Sequence, residues 1–245
     1  MNKKNLSIVL PVYNEKESLS LMIKILNLSL DFEKEIIIVY DDENDNSIPI
    51  TKKLQESFQN IKLVHNDLGK GVKFAVTTGI KNAKFENILI TAVDEIFPII
   101  SIDKMLSMLV EENYDFVSGT RYKGGGKRLG GSLIGHLLSR LANKSFRILT
   151  NFPLSDLTTG IKMFKKEIFN KIQIDTPPVG WVFAFELSIK AYALNYKIGE
   201  VPLISVDRLF GGSSTFQMNK WIKEYFKCYL WGLKFIRNKM ALKNL

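Results

Sequence analysis

Short apolar runs alternate with segments of helical periodicity along the first half of the chain. Leu6–Val12 and Glu35–Tyr40 are rich in β-branched residues, as expected for buried strands. The segment Glu15–Leu28 between them carries apolar residues at helical spacing, and the alternation continues through Asn87–Thr91 and Asp115–Gly119. Strands that alternate with helices of about 10 to 15 residues are typical of a parallel sheet with helices on both faces. We therefore predict an α/β fold with a doubly wound, mostly parallel sheet.

Composition narrows the classes of protein that fit this pattern. With 245 residues the chain can build one large α/β domain. Cys228 is the only cysteine, which excludes an intramolecular disulfide and favours the reducing cytoplasm. Met1–Leu10 does not have the pattern of a signal peptide, and no run of about 18 apolar residues suggests a membrane span. The net charge of +9 favours an anionic partner, such as a phosphorylated substrate, an acidic lipid surface or a nucleic acid.

Ligands of such sheets bind outside the carboxyl ends of the strands. Three segments come at or directly after a predicted strand end: Pro11–Glu15, Asp41–Asn46 and Ala92–Pro98. Because the carboxyl ends of parallel strands share one edge of a sheet, these segments are the first place to look for a site. The sequence Gly69-Lys70-Gly71 lacks the spacing of a phosphate-binding P-loop, and we interpret it as a turn that enters a helix.

Acidic residues are the first candidates for chemistry. Asp41 can accept hydrogen bonds from a nucleobase or a ribose, and the alternative is a solvated turn before a helix that begins at Ser47. Asp94 and Glu95 can hold Mg²⁺ or Mn²⁺ against a diphosphate, because hard cations prefer oxygen ligands; the alternative is an acidic turn that leads a helix. Asp156 can act as a general base or orient an acceptor, and the simpler alternative is a helix cap or a buried turn.

Basic residues form a second group of candidates. Arg121 follows the fifth predicted strand, Lys127 and Arg128 lie in the glycine-rich segment Lys123–Gly131, and Arg208 precedes two glycines. Cations and exposed backbone N–H groups suit the negative charge of a leaving diphosphate. The alternative is ordinary solvated surface charge. We predict that Lys123–Gly131 is a loop.

Several segments together resemble a known enzyme family. They read PVYNE at residues 11–15, SGTRY at 118–122, SDLTTGIKMF at 155–164 and NYKIGEVP at 195–202. In this order they resemble glycosyltransferase family 2, and within it the dolichyl-phosphate mannose synthase-like group. The resemblance extends from Leu6 to about Ser214.

The resemblance implies a GT-A fold and an enzyme that moves a sugar from a nucleotide-diphosphate sugar to an acceptor, often a polyprenyl phosphate, by inverting displacement. It implies that Asp94 carries the metal, that Arg121 and Arg208 face phosphates, and that Asp156 lies near the acceptor. Asp94, Asp156 and Arg208 are thereby the predicted catalytic residues. The residues implied for nucleoside binding are Pro11, Tyr13, Glu15, Val39 and Asp41.

This chain departs from the family pattern at three places. The family's DDGS reads DDEN at residues 41–44, the first acid of its DxD metal motif is Ala92, and the lysine of its late segment is Ser214. Glu95 is our candidate for the missing metal ligand, and Lys127 or Arg128 for the missing cation. We interpret the departures as a change of substrate. The alternatives are a non-catalytic protein that binds nucleotide sugars and a transferase to a soluble or saccharide acceptor.

We predict a transferase domain at residues 1–215 and a basic amphipathic helix at 216–245. This helix and a second one at Ser132–Thr150 combine apolar side chains with lysines and arginines, which favours an anionic membrane surface; the alternative is packing on the core or on a second copy in a homo-oligomer. We expect a peripheral protein at the cytoplasmic face of the membrane. Nucleic acid is disfavoured because the aromatic residues form no strand platform with interleaved cations.

Overall fold

The strands of the fold are short and mostly continuous in apolar residues. A computed structural model describes residues 4–206 and 218–243 of the chain. Its strands are β1 (Asn5–Pro11), β2 (Glu33–Tyr40), β3 (Ile61–His65), β4 (Asn87–Ile90), β5 (Phe116–Thr120), β6 (Lys127–Leu129), β7 (Lys162–Lys165), β8 (Ile198–Pro202) and β9 (Ile204–Val206).

Helices connect most of these strands. They are α1 (Lys16–Ser29), α2 (Ser47–Ser57), α3 (Val72–Lys81), α4 (Ile99–Val110), α5 (Leu133–Thr150), α6 (Lys166–Lys171), α7 (Val182–Ala193) and α8 (Met218–Lys243). Among the described helices, none combines the length and the hydropathy that a bilayer span requires.

The central sheet confirms the predicted architecture. Within the described residues it has seven strands in the order β3-β2-β1-β4-β7-β5-β8. All neighbours pair in parallel except β7, which runs antiparallel between β4 and β5. Lys162, the first residue of β7, lies opposite Ile90 of β4 and Ser118 of β5. The start of β7 therefore lies at the edge of the sheet where its two neighbours end.

Helices cover both faces of the sheet, which explains why the strands are apolar without alternation. Ile8 and Leu10 point to a cluster that includes residues of α1 and α4. Val9 and Ile37 point to the opposite cluster, which includes residues of α3 and α7. Because the side chains of consecutive strand residues point to opposite faces, one apolar run supplies both clusters.

The C-terminal helix α8 packs on the protein by its aromatic side. Cys228 and Ile236 are buried, and Trp231 and Phe235 pack against the same cluster as α5 and α7. The approach is close, since a Cβ atom at Gly232 would lie 2.6 Å from Cδ1 of Ile189. This side of α8 packs on the core, as the packing alternative predicts, while Ile222, Phe226 and Leu230 remain exposed on the helix, so its contact with a membrane stays a prediction. The predicted domain boundary between residues 215 and 216 lies outside the described residues and stays a prediction.

The glycine-rich segment Lys123–Gly131 differs from the predicted loop. Its residues Lys127–Leu129 form β6, which pairs in parallel with β9 in a small two-stranded sheet. The N–H of Lys127 also donates to the carbonyl oxygen of Leu203 at 2.8 Å. A strand of three residues rich in charge carries no sequence periodicity, and backbone pairing with β9 is what defines it.

Candidate active site

The chain after β1 and the chain after β2 are connected by hydrogen bonds from backbone N–H groups to side-chain oxygens. The N–H of Asn14 donates to Oδ1 of Asp45 at 3.0 Å, and the N–H of Asn46 donates back to Oδ1 of Asn14 at 3.2 Å. The N–H of Glu15 donates to Oγ of Ser47 at 2.9 Å. Asn14 adopts a left-handed backbone conformation, with φ of 58°, which asparagine tolerates well. These three hydrogen bonds fix the turn that contains Tyr13, whose side chain is 54% exposed.

Asp41 is held at the end of β2 by the turn before α3. Its Oδ2 accepts the N–H of Gly71 at 2.7 Å. Gly71 has φ of 118°, and a Cβ atom there would lie 2.8 Å from the carbonyl oxygen of Pro178. Glycine is therefore required on both counts. Pro11 and Val39 lie opposite each other in the register of β1 and β2. They precede Tyr13 and Asp41, respectively, by two residues.

Glu95 lies in the loop after β4 and is largely buried. Its Oε1 accepts the hydroxyl of Ser205, on β9, at 2.9 Å. In the part of the chain that the structure describes, its Oε2 is buried without a hydrogen-bond partner. Burial, together with the neighbouring charge of Asp94, raises the pKa of Glu95 to about 7 against the opposing hydrogen bond from Ser205. A carboxylate oxygen left without a donor is a candidate ligand for a cation.

Arg121 and Asp156 form a buried ion pair at the end of β5. Nε of Arg121 donates to Oδ2 of Asp156 at 2.7 Å, and Nη2 donates to Oδ1 at 3.0 Å. The Asp156 side chain is fully buried and that of Arg121 is 10% exposed. Burial alone would raise the pKa of Asp156, but the charge and hydrogen bonds of Arg121 hold it below its usual value. Asp156 thus stays ionised and holds the guanidinium in place.

Side chains on the inner side of α5 make hydrogen bonds to the segment that follows Asp156. Asn143 donates through Nδ2 to Oγ1 of Thr158 at 2.9 Å, and its Oδ1 accepts the N–H of Leu157 at 2.8 Å. Ser139, one turn earlier, shares a hydrogen bond of 2.8 Å with the hydroxyl of Thr158 and accepts another of 2.8 Å from Tyr122. Sequence reasoning missed Ser139 and Asn143. Their spacing of four residues on the inner side of an amphipathic helix was the available signal.

The sequence comparison fits this arrangement of strand ends. A family model described as "Glycosyl transferase family 2" matches residues 7–173, which is more than half of the chain and includes β1 through β7. The chain belongs to glycosyl transferase family 2. The resemblance predicted from the motifs is thereby confirmed.

Two curated relatives of this family 2 chain act on lipid phosphates by name. It is 28% identical over 225 residues to a dolichol-phosphate mannosyltransferase of Pyrococcus furiosus, with 90% of this chain and 61% of that relative covered. The chain thus spans about three fifths of the length of that relative. It is 23% identical over 233 residues to a polyprenol monophosphomannose synthase of Mycolicibacterium smegmatis, with 93% of this chain and 86% of the relative covered.

A solved structure confirms the GT-A fold of the family 2 chain. Glucosyl-3-phosphoglycerate synthase from Mycobacterium tuberculosis, in complex with Mn²⁺, UDP and phosphoglyceric acid, superposes with a TM-score of 0.71 at 14% sequence identity. The match covers 95% of this chain and 79% of the other. At this identity the likeness establishes the fold.

The predicted site residues of the family 2 chain fall on consecutive strand ends of one sheet edge, in the order β2, β1, β4, β7 and β5. Arg208 lies outside the described residues. Which roles the others have stays a prediction, and for Asp156 the geometry supports holding Arg121 over direct contact with an acceptor. The predicted site residues that the structure describes at or near this edge are Pro11, Tyr13, Glu15, Val39, Asp41, Asp94, Glu95, Arg121 and Asp156.

Two adjacent carboxylates are the residues that fit a divalent cation. Asp94 and Glu95 offer oxygen ligands of the kind that Mg²⁺ and Mn²⁺ prefer, and the buried Oε2 of Glu95 lacks a donor among the described residues. The described residues contain no cluster of three or more acidic, histidine or cysteine side chains that could bind the ion alone. The donor set therefore suits a cation that shares the oxygens of a bound diphosphate.

Proposed function

We propose that this family 2 protein transfers a sugar from a nucleotide-diphosphate sugar to a polyprenyl phosphate at a membrane surface. The observation that carries the lipid part of the proposal is the outer face of α5, which is apolar and exposed, on a helix whose inner side contacts Asp156 of the ion pair. The names of the two curated relatives support the same acceptor class.

The outer face of α5 has the composition of a helix that lies on a lipid surface. Leu133 is 83% and Ile134 65% exposed, which is unusual for residues of this size on one helix face. Their hydrophobic area would leave water on contact with lipid, and the nearby cations would meet anionic headgroups. Further exposed apolar residues of the face are Leu137, Leu138, Leu141, Ile148 and Leu149. The cations beside them are Arg140, Lys144 and Arg147.

A groove of about 860 Å³ lies along α5. Its lining combines the apolar Leu137, Leu141 and Ile148 with the three cations named above, and it also includes Tyr122 and Ser155. Ser155 shares a hydrogen bond of 2.6 Å with Thr120, the residue before Arg121. Apolar and cationic side chains in one groove suit a ligand with an apolar body and a phosphate head.

The reaction that the site supports is an inverting displacement. The acceptor oxygen forms a bond to the anomeric carbon while the bond from that carbon to the diphosphate oxygen breaks. The protein needs to position the two substrates and to neutralise the negative charge of the leaving diphosphate. We assign the second of these tasks to Arg121. A phosphate acceptor is already ionised, so it needs no general base. This is consistent with an Asp156 carboxylate that is occupied by Arg121.

A divalent cation fits the remaining part of the edge. Asp94 and Glu95 would hold Mg²⁺ or Mn²⁺, which when bound would neutralise charge on the leaving diphosphate. The similar synthase was solved in complexes with Mn²⁺ or Mg²⁺ and UDP, which supports this proposal. Tyr13 and Asp41 would contact the nucleoside at the other end of the edge.

Transfer of a labelled sugar tests the proposal directly. The full chain is incubated with Mn²⁺, polyprenyl phosphate in anionic vesicles, and radiolabelled UDP-, GDP- or dTDP-sugars in turn. We expect label from one donor to enter the lipid, and no label to enter an uncharged polyprenol offered as a matched control. Transfer to 3-phosphoglycerate but not to the lipid would establish the soluble-acceptor alternative. Binding of a donor without transfer or hydrolysis would establish the non-catalytic alternative.

Flotation with vesicles tests the role of α5 separately. We expect the protein to float with anionic vesicles and the variant Leu133→Ser/Leu137→Ser to lose at least about tenfold in vesicle affinity, because burial of each leucine contributes about 1.5–3 kcal/mol. The control variant is Leu28→Ser/Leu194→Ser, whose leucines are 80% and 51% exposed but lie elsewhere. Equal loss in both variants, or no flotation of the wild type, would remove the lipid surface from the proposal.

A further inference from the structure

Lys162 lies at the centre of the sheet edge that carries the site. As the first residue of β7, it is in register with Ile90 of β4 on one side and Ser118 of β5 on the other. The loop after β4 leads to the candidate metal ligands, and β5 leads to Arg121. Its side chain is fully buried, which is rare for lysine.

Only neutral groups contact the amine directly. Nζ of Lys162 donates to Oγ of Ser118 at 2.7 Å and to the carbonyl oxygen of Asp156 at 3.4 Å. Within residues 4–206 and 218–243, no carboxylate oxygen lies within hydrogen-bonding distance of it. Burial lowers the pKa of Lys162 to about 7, while the charges of Asp156 and Glu200 raise it and that of Arg121 lowers it. Lysine therefore changes its charge here near neutral pH.

The buried charges around Lys162 are net negative without it. Arg121 and Asp156 form a bidentate pair, so their net charge is zero. Glu200 on β8 accepts the N–H of Ser155 at 2.6 Å and adds one negative charge, whereas its ion-pair partner Lys123, at 3.2 Å, is 55% exposed. A protonated Lys162 brings the buried cluster to neutrality, and a neutral one leaves it negative, which disfavours a diphosphate.

We propose that Lys162 is a positioning residue whose positive charge, set behind the Arg121–Asp156 pair, makes this end of the site attractive to the diphosphate of the donor. The inference rests on the proposed function, since it assumes that Arg121 faces the diphosphate. Lys162 acts through two contacts: it holds the hydroxyl of Ser118 and the main chain of Asp156, and its charge offsets that of the Asp156 carboxylate.

This role makes nucleotide binding depend on pH in a defined direction. Below pH 7 Lys162 is charged, and the site attracts the diphosphate. Above pH 7 it becomes neutral, and the attraction weakens. An arginine at the same position stays charged throughout this range, so it would remove this part of the pH dependence.

Calorimetric titration of UDP and GDP in the presence of Mg²⁺, between pH 6 and pH 8.5, tests the inference. We expect wild-type affinity to fall on the order of tenfold more across this range than that of Lys162→Arg, as the loss of one nearby charge implies. Titration of the nucleotide phosphate and of Glu95 is common to both proteins and cancels in the comparison. A side chain that serves structure alone would not produce this difference.

Two further measurements complete the test. At pH 6.5 Lys162→Met should bind on the order of tenfold more weakly than the wild type, and at pH 8.5 the two proteins should bind with similar affinity because the wild-type lysine is then neutral. Should Lys162→Met fail to fold, the pH titration of the Lys162 side chain by heteronuclear NMR replaces it, with an apparent pKa near 7 expected. Parallel pH profiles of the wild type and Lys162→Arg, or a Lys162 that stays charged to pH 9, would overturn the role of Lys162 alone. Absence of all UDP and GDP binding in the wild type would overturn the proposed function as well.

Discussion

The two ends of the candidate site are built in different ways. The nucleoside end, residues 11–15 and 41–47, is held by backbone N–H groups that donate to small polar side chains, and it leaves Tyr13 exposed. The charge end, formed by Arg121, Asp156 and Lys162, places charged groups in the interior, where desolvation is costly. The site residues of the nucleoside end thus lie on surface loops, whereas those of the charge end are part of the core. We therefore expect substitutions at the two ends to separate binding from stability.

The largest expected effect is the loss of stability in Asp156→Asn. The change leaves the Arg121 guanidinium buried without a counter-charge, which costs about 3–5 kcal/mol when a buried pair is broken. Urea unfolding at pH 7 measures it. The control is Asp42→Asn, which breaks an exposed ion pair with Lys70 and should change stability far less, because solvent screens such pairs. Similar costs for the two variants would show that the charge end is not part of the core.

A second effect should appear in the pH dependence of stability, because Glu95 and Lys162 each have different pKa values in the folded and the unfolded chain. Between pH 4.5 and about 7, folded Glu95 keeps a proton that the unfolded chain has lost, so its contribution to the free energy of unfolding falls as pH rises. Between about 7 and 10.5, the unfolded chain keeps a proton on Lys162 that the folded protein has released, so that contribution rises. Together these two groups favour a minimum of stability near pH 7.

Glu95→Gln sharpens this expectation. In metal-free buffer with a chelator, the variant should lose the decline between pH 4.5 and 7 but keep the rise above pH 7. The matched control is Glu17→Gln, whose side chain is 72% exposed and should leave the profile unchanged. Thermal unfolding across the pH range provides the measurement. A Glu95→Gln profile that coincides with the wild type would contradict a raised pKa at this position.

The smallest expected effect belongs to Tyr13→Ala at the nucleoside end. Because its ring is exposed, the free energy of unfolding should change by no more than about 0.5 kcal/mol. Affinity for the preferred nucleoside diphosphate should fall about tenfold, as expected for a lost aromatic contact with a base. Phe226→Ala, a similarly exposed aromatic residue on α8, should change neither quantity. A large loss of stability in Tyr13→Ala would erase the contrast between the two ends.

Much of the fold follows from the sequence because β1, β2, β4 and β5 consist mainly of buried residues. The bounds predicted for these four strands agree with the structure within two residues. The strand β7 was missed because Lys162 interrupts a short apolar run, and only the tertiary structure shows that a lysine can be buried there. The strands β6 and β9 have three residues each, which is too short for any periodicity.

The site was predictable in position but not in construction. Strand order places Pro11, Asp41 and Arg121 at one edge, as the rule for parallel sheets requires. The further partners of the ion pair come from α5, and the spacing of Ser139 and Asn143 marks a helix face without showing what that face contacts. The two basic amphipathic helices show the same limit: α8 packs Trp231 and Phe235 on the core, whereas α5 leaves its apolar face exposed, although their sequences predict both alike.

Because β7 is antiparallel to β5, the segment between these two strands, called here the detour, starts and ends at the same edge of the sheet. After β5 the chain leaves the sheet edge at Arg121, forms β6 and α5, and returns to the same edge at Asp156, where the two residues join. The detour is closed by this ion pair, and it is also attached to the rest of the molecule through the pairing of β6 with β9 and the packing of α5 on α8. We expect an exchange of this segment between relatives to preserve the fold only if the residues that face β9 and α8 are exchanged with it or kept.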